Sequence, residues 1–138
     1  MTGDRRQAEV ELTIPFNDVD MMGVAWHGHY ARYFELAREA VLKQIGLGYK
    51  AMCEAGYAWP IIDFQVKYRH ALRHEQTIRI RARIGDYENH LCIDYTIVDA
   101  QTGRRLTTAR TRQVAVDIAS GELCLASPRV LLDKMEEL

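Results

Sequence analysis

Two aspartates and a histidine lie close together in the segment Asp18–His27, which reads Asp-Val-Asp-Met-Met-Gly-Val-Ala-Trp-His. The two acids follow an apolar strand pattern, and the histidine stands where a long helical pattern begins. A carboxylate can act as a nucleophile or as a general base. The free N–H groups at a helix N-terminus can stabilise negative charge that develops on an oxygen. This combination indicates acyl transfer or hydrolysis.

The spacing alone leaves the role of each residue open. Asp20 either takes part in the chemistry or only accepts N–H bonds in the turn, as acids before helices often do. Asp18 is expected to be structural, accepting turn N–H groups or pairing with an arginine. The ring of His27 either orients water or protonates a leaving group, or it is an exposed first-turn side chain with no role.

The elements that must position these residues follow from the apolar periodicity. An apolar stripe predicts a helix that begins at His27, spans roughly 27 Å and ends at Gly46 and Gly48. Its members are Tyr30, Tyr33, Phe34, Ala37, Val41 and Ile45. Period-two alternation predicts strands at Val10–Phe16, Ile62–Tyr68, Thr77–Ile84, Leu91–Ile97 and Arg105–Ile118. Shorter helices are predicted at Tyr49–Glu54 and Pro128–Leu138.

The order of these elements is one strand, the long helix and four antiparallel strands, which we interpret as one α+β domain over residues 1–138. One helix cannot cover both faces of such a sheet, and the sheet edges need protection. We therefore expect at least a dimer.

Composition and charge narrow the functional classes. The formal net charge of -1 argues against an electrostatic nucleic-acid binder. No apolar run approaches the roughly 20 residues of a membrane span, and the polar stretch Met1–Gln7 does not resemble a secretory signal. The three cysteines are widely spaced, without metal-ligand spacing, and are expected to be reduced thiols. We expect a soluble, cytoplasmic protein with neither a metal nor a cofactor.

The segments Asp18–Tyr30 and Phe34–Arg38, with Pro60–Ile62 and Tyr68–Ala71, resemble the hotdog-fold acyl-CoA thioesterases. The similarity is to the 4-hydroxybenzoyl-CoA thioesterase family and its bacterial acyl-CoA relatives. It implies a curved antiparallel sheet of about five strands wrapped around one long helix. It also implies dimers joined edge to edge, often paired into tetramers, with active sites at the subunit interface.

The resemblance further implies hydrolysis of an acyl-CoA or acyl-carrier-protein thioester. It assigns the catalytic acid to Asp20 and contact with the thioester carbonyl to the backbone N–H of His27. An enoyl-thioester hydratase or dehydratase on the same fold, and a non-catalytic acyl-thioester-binding subunit, are the alternatives.

Candidate substrate-binding residues surround these two positions. Gly23 allows a backbone conformation that brings the turn close to the acyl group. Val24, Trp26 and Tyr30 either line an apolar acyl pocket or are ordinary core residues, and Pro60 and Ile61 are expected to close its far side. Several arginines could hold phosphates of coenzyme A or an acidic carrier surface, or could belong to solvated strand faces: Arg79, Arg81, Arg83, Arg104, Arg105, Arg110 and Arg112.

Overall fold

The computed structural model describes residues 4–138, so the N-terminal prediction for Met1–Gln7 lies partly outside the described residues. The strands are β1 Gln7–Thr13, β2 Tyr57–Ala58, β3 Ile61–Tyr68, β4 Thr77–Ile84, β5 Leu91–Asp99, β6 Arg105–Gln113 and β7 Val116–Asp117. The helices are α1 Tyr30–Gln44, α2 Tyr49–Glu54 and α3 Arg129–Glu136, with 3-10 turns at Phe16–Asp18 and His27–His29.

Five strands form one antiparallel sheet in the order β1-β4-β5-β6-β3, and α1 packs on it against β1, β4 and β5. Strand β4 shows the alternation that the sequence predicts, because its isoleucines and Ala82 are buried while its arginines are exposed. The apolar stripe of the long helix is also confirmed, since every one of its members is buried.

The long helix ends where the glycines predict. Gly46 has φ +80°, the Gly46 N–H donates to the Lys43 carbonyl at 2.9 Å, and the Leu47 N–H donates to the Leu42 carbonyl at 2.8 Å. This pair of bonds satisfies carbonyls that the helix end would otherwise leave unpaired. The start differs from the prediction, because His27–His29 is a 3-10 turn and the regular α-helix begins at Tyr30.

The prediction of one long final strand over Arg105–Ile118 is wrong. Strand β6 ends at Gln113. This residue pairs with Ile61 at the start of β3 and with Leu91 at the start of β5, so both neighbouring strands stop supporting β6 here. Beyond that point the chain forms β7, which pairs with the short strand β2. Val114, Val116 and Ile118 alternate beyond Gln113 and look like a continuation of the strand, so the local pattern did not reveal the break.

The sequence predicts that both a face and the edges of the sheet need cover, but among residues 4–138 only the β3 edge exposes a row of large apolar side chains. The face away from the helix carries ion pairs between β1 and β4, Glu9 with Arg81 and Glu11 with Arg79, so it suits water without a cover. The β3 edge, in contrast, exposes Ile62 at 60%. Other large apolar side chains exposed on β3 are Ile61, Phe64 and Tyr68.

No helix among residues 4–138 is both long and apolar enough to cross a membrane. All three cysteines lie within this range and are unpaired thiols, with Cys92 buried.

Candidate active site

The segment between β1 and the long helix forms a narrow hairpin. The Trp26 N–H donates to the Asp18 carbonyl at 3.2 Å, and the Asp20 N–H donates to the Val24 carbonyl at 3.0 Å. The hairpin turns at Gly23, whose φ of +74° is a left-handed conformation that side chains resist. Gly23 therefore shapes this turn, while its contact with an acyl group stays a prediction.

Asp18 has the structural role expected for it. Its side chain is 2% exposed, forms an ion pair with Arg32 and accepts a hydrogen bond from the Tyr33 hydroxyl at 2.8 Å. Burial alone raises the pKa of Asp18, but the bonds from Arg32 and Tyr33 outweigh it and hold the pKa below its usual value. Burial, and then the bond to Asp18, raise the pKa of Tyr33. These interactions fix the hairpin to the second turn of the helical segment.

Asp20 is exposed, and its two carboxylate oxygens differ. Oδ1 accepts the Met22 N–H at 2.8 Å and the Val24 N–H at 3.4 Å, which closes the turn. Oδ2 accepts no hydrogen bond from residues 4–138. The turn-capping interpretation is therefore correct for one oxygen, and the other oxygen accepts no hydrogen bond from the described residues.

His27 opens the helical segment with free donors. Trp26 precedes it as the N-cap residue and makes no side-chain capping bond. The His29 N–H donates to the Trp26 carbonyl, whereas the N–H groups of His27 and Gly28 have no acceptor among residues 4–138. Such N–H groups lie at the positive end of the helix and suit an oxygen that gains negative charge.

A small cavity of about 140 Å³ lies beside this helix start. Val24 and Tyr30 line it together with His27, and Tyr30, which is only 2% exposed, is also a core residue. Their contact with an acyl group stays a prediction. Burial raises the pKa of Tyr30, so its phenol stays neutral at physiological pH. The Tyr68 ring lies 4.5 Å from the His27 ring and 4.9 Å from the Tyr30 ring, measured between centroids.

Other predicted site residues are not brought to this cavity within one chain. Asp20 does not line it, although Asp20 is a diagonal neighbour of Trp26 in the hairpin, about 7–8 Å away. Trp26 is 63% exposed and packs its ring against His29. Ile61 begins the strand that ends at Tyr68, so Pro60 and Ile61 lie roughly 23 Å from the cavity along β3.

A larger and mainly apolar cavity of about 650 Å³ is lined by residues of α1, α2 and the segment 57–59, with Leu91 and Gln113 of the sheet. Leu36 and Leu42 of the helix line it, together with Met52 of α2 and Trp59 before β3. Two buried polar atoms of lining residues, Trp59 Nε1 and Gln113 Oε1, have no hydrogen-bond partner. Neither Asp20 nor His27 reaches this cavity.

The residues at the end of β3 have no site role predicted from the sequence, although Tyr68–Ala71 contributes to the family resemblance. Tyr68, Arg69 and His70 line the small cavity beside His27, and Arg104 contacts His70. The available signal was a strand that ends in an aromatic residue and two basic ones, but nothing local showed that this end faces the helix start.

Comparisons with known proteins agree with this architecture. A family model described as the thioesterase-like superfamily matches residues 14–133. A proposed esterase of Synechocystis sp. is 28% identical over 131 residues, which cover 94% of this chain and 79% of that protein. A proposed acyl-CoA thioesterase of Bacillus subtilis is 24% identical over 107 residues, 78% of each chain. The structure of the DHNA-CoA thioesterase from Staphylococcus aureus aligns with a TM-score of 0.83 at 24% identity, covering 94% of this chain and 87% of that one.

Proposed function

Because the chain belongs to the thioesterase-like superfamily and has the expected α+β hotdog fold, we propose that it hydrolyses an acyl thioester to a free acid and a thiol. The observation that carries the proposal is the pair of free N–H groups at His27 and Gly28. The exposed carboxylate of Asp20 lies in the hairpin that leads directly into this helix start. Hydrolysis of a thioester requires few other protein groups, because the thiolate is a good leaving group once the carbonyl is polarised.

In this mechanism the thioester carbonyl oxygen accepts the His27 N–H, which stabilises the tetrahedral intermediate. Asp20 then attacks the carbonyl carbon, the C–S bond breaks and water hydrolyses the resulting anhydride. Alternatively, Asp20 accepts a proton from water while that water attacks the carbonyl carbon. In both variants the departing thiolate takes up a proton, and we propose the exposed ring of His27 as its donor.

We infer that the complete site forms between two copies of the chain. Strand β3 is a sheet edge with exposed apolar side chains, and antiparallel pairing of two such edges covers them. In that pairing the Ile61 end of one copy meets the Tyr68 end of the other. Pro60 and Ile61 of one copy then approach His27 of the other, and the acyl group extends toward the cavity lined by Trp59.

The activity is tested by measuring free-thiol release from a panel of short-chain, long-chain and aromatic acyl-CoAs, including the DHNA-CoA named for the Staphylococcus aureus enzyme. The matched pair of variants is Asp20→Asn and Asp86→Asn, since Asp86 is an exposed loop acid. The side-chain amide introduced by Asp20→Asn keeps an oxygen for the Met22 and Val24 N–H groups, so the turn persists while the nucleophile or base is lost.

We expect Asp20→Asn to lower kcat by roughly 10²- to 10⁴-fold, and Asp86→Asn to leave it near wild type. Equal turnover by the two variants would remove Asp20 from the mechanism. Tight binding of acyl-CoAs with no thiol release by the wild type would instead favour the non-catalytic binding subunit. Loss of enoyl-CoA absorbance without thiol release would favour the hydratase.

A further inference from the structure

The hairpin before the long helix is held from one side by the loop between β3 and β4. We call residues 72–76 of this loop the clamp segment. Its Leu72 carbonyl accepts the Ala25 N–H at 2.7 Å, and its His74 N–H donates to the Gly23 carbonyl at 3.0 Å. Two backbone hydrogen bonds therefore tie the returning half of the hairpin to the clamp segment.

The clamp segment is connected to Asp20 through a single residue, Val24. Val24 forms an antiparallel bridge with Arg73 of the clamp segment. Its own backbone groups bond to Asp20, because the Val24 carbonyl accepts the Asp20 N–H at 3.0 Å and the Val24 N–H donates to Asp20 Oδ1 at 3.4 Å. The place of Val24 therefore helps to set where the Asp20 carboxylate lies.

The clamp segment is itself held in an unusual backbone conformation. Glu75 has φ +66° and is the one non-glycine residue with a positive φ among residues 4–138. The Glu75 N–H donates to the Ile14 carbonyl at 3.1 Å, and the Ile14 N–H donates to the Gln76 carbonyl at 2.9 Å. A side chain in this left-handed region persists only where its surroundings hold it there. The clamp segment is thus bonded to the chain before the hairpin as well as to the hairpin itself.

The side chain of Gln76 closes the clamp segment. Its Oε1 accepts the Arg73 N–H at 3.0 Å, and its Nε2 donates to Asp99 Oδ2 at 2.7 Å. An amide side chain suits both partners, because a backbone N–H can only donate and a carboxylate can only accept. Gln76 therefore fixes the residue that pairs with Val24.

Asp99 is a fixed anchor for this amide. It is the last residue of β5, and its Oδ1 accepts the Gln101 and Thr102 N–H groups at 2.8 and 2.9 Å. The bond from Gln76, followed by those from Thr102 and Gln101, lowers the pKa of Asp99. The carboxylate is therefore ionised at physiological pH, and a bond to an ionised acceptor is stronger than one between neutral groups.

We infer that Gln76, anchored by Asp99, is a positioning residue for Asp20, because it fixes the clamp segment that holds Val24 in place. This inference rests on the proposed function, since the place of Asp20 affects the rate only if Asp20 attacks the thioester or activates water. A displacement of a reacting group by about 1 Å can cost on the order of 10²-fold in rate. The effect belongs to kcat, because neither Gln76 nor Asp99 lines either of the two cavities described above.

The test reverses the direction of the hydrogen bond between Gln76 and Asp99. Gln76→Glu places a second carboxylate opposite Asp99, so this bond is lost while an oxygen remains for the Arg73 N–H. In the double variant Gln76→Glu/Asp99→Asn, the new amide donates to the new carboxylate, and the bond returns. Gln65→Glu is the matched control, because Gln65 Nε2 also donates to a carboxylate, that of Asp63, at 3.0 Å.

Each variant is assayed with the acyl-CoA that the wild type hydrolyses fastest. We expect Gln76→Glu to lower kcat roughly tenfold and to change KM by less than about twofold, with the double variant within about threefold of the wild type. Gln65→Glu should match the wild type. In an Asp20→Asn background, Gln76→Glu should change the residual rate by less than about twofold, because the group that it positions is gone.

A merely structural role for Gln76 predicts a different pattern. It would lower the urea midpoint of Gln76→Glu and leave kcat of the folded protein unchanged, and this result would overturn the inference. A fall in kcat that the double variant does not restore, or an equal fall in the Asp20→Asn background, would also overturn it. If Gln76→Glu does not fold, Gln76→Ala removes both side-chain bonds without adding a charge, with the same expected fall in kcat and the same background test.

The proposed function fails separately, if the wild type releases no thiol from any acyl-CoA. Amide hydrogen exchange then tests the clamp segment without turnover. Gln76→Glu should speed exchange of the Ala25 and His74 N–H groups, and the double variant should return it toward the wild-type rate. Equal exchange rates in Gln76→Glu and wild type would overturn the inference.

Discussion

The carboxylates of Asp18 and Asp20 are two residues apart, yet their environments give them different properties. Asp18 is buried and bonded to Arg32 and Tyr33, whereas Asp20 is exposed and keeps one oxygen free of protein donors. A carboxylate held by an arginine is a poor base and a poor nucleophile, because its charge is already stabilised. The hairpin therefore uses Asp18 to hold its shape and leaves one oxygen of Asp20 without a protein donor, as the proposed mechanism requires.

Asp18 should make stability depend on pH. Its pKa is lower in the folded protein than in the unfolded chain, so its contribution is fully present above about pH 4 and is lost as the pH falls through the folded pKa. We expect Asp18→Asn to lower the free energy of unfolding by about 1–2 kcal/mol at pH 7, since Arg32 is half exposed and screened by water.

Urea unfolding at pH 7 and at acid pH checks this expectation, with the exposed Asp86→Asn as the control. The difference between wild type and Asp18→Asn should shrink at acid pH, while Asp86→Asn should follow the wild type throughout. A difference that stays constant over the whole pH range would contradict the assignment.

Among the secondary-structure elements, the long helix is held at both ends by backbone geometry. Its start is fixed by the hairpin through Asp18 and Arg32, and its end by the left-handed Gly46. Between these points the buried stripe packs on the sheet, so the free N–H groups of His27 and Gly28 are presented at a defined place. The position of these N–H groups thus depends on the contacts that fix both ends of the helix.

Gly46→Ala should destabilise the protein by about 1–2 kcal/mol. An added Cβ would have room, since the nearest atom is Lys134 Nζ at 3.7 Å, so the cost comes from the φ of +80° alone. Gly85→Ala is the matched control, because Gly85 has no positive φ and its nearest neighbours also lie 3.7 Å away. Equal unfolding midpoints in urea for the two variants would show that Gly46 does not end the helix as described.

The complete sheet has one face suited to water and one edge that is not. The ion pairs between β1 and β4 make the outer face polar, while β3 leaves a row of apolar side chains uncovered. A single chain separates Ile61 from His27 by the length of that strand. Pairing of two β3 edges would cover the apolar side chains and would also bring Ile61 of one copy near His27 of the other. This is why we connect assembly with activity.

Ile62→Lys should therefore convert an assembled protein to monomers and lower thiol release at the same time. Ile62 is 60% exposed on β3, so the substitution costs the isolated chain little, but it places a charge in the paired edge. Leu125→Lys is the control, since Leu125 is 87% exposed in a loop. Light scattering after size-exclusion chromatography gives the mass of each variant, and a dimeric Ile62→Lys would contradict edge pairing.

Local sequence patterns were enough to predict most helices and strands. Periodicity located β4 and the buried stripe of α1, because burial on one face leaves a local repeat. It failed at Gln113, where the end of a strand depends on neighbours distant in the chain and not on local pattern.

Only the tertiary structure shows which side chains contact one another. The fold pairs Arg81 with Glu9, places Arg104 against His70 and brings Tyr68 to His27. It also divides the acids into a structural Asp18 and an exposed Asp20. Such contacts depend on the path of the whole chain through space, and spacing along a sequence carries no record of that path beyond a few residues.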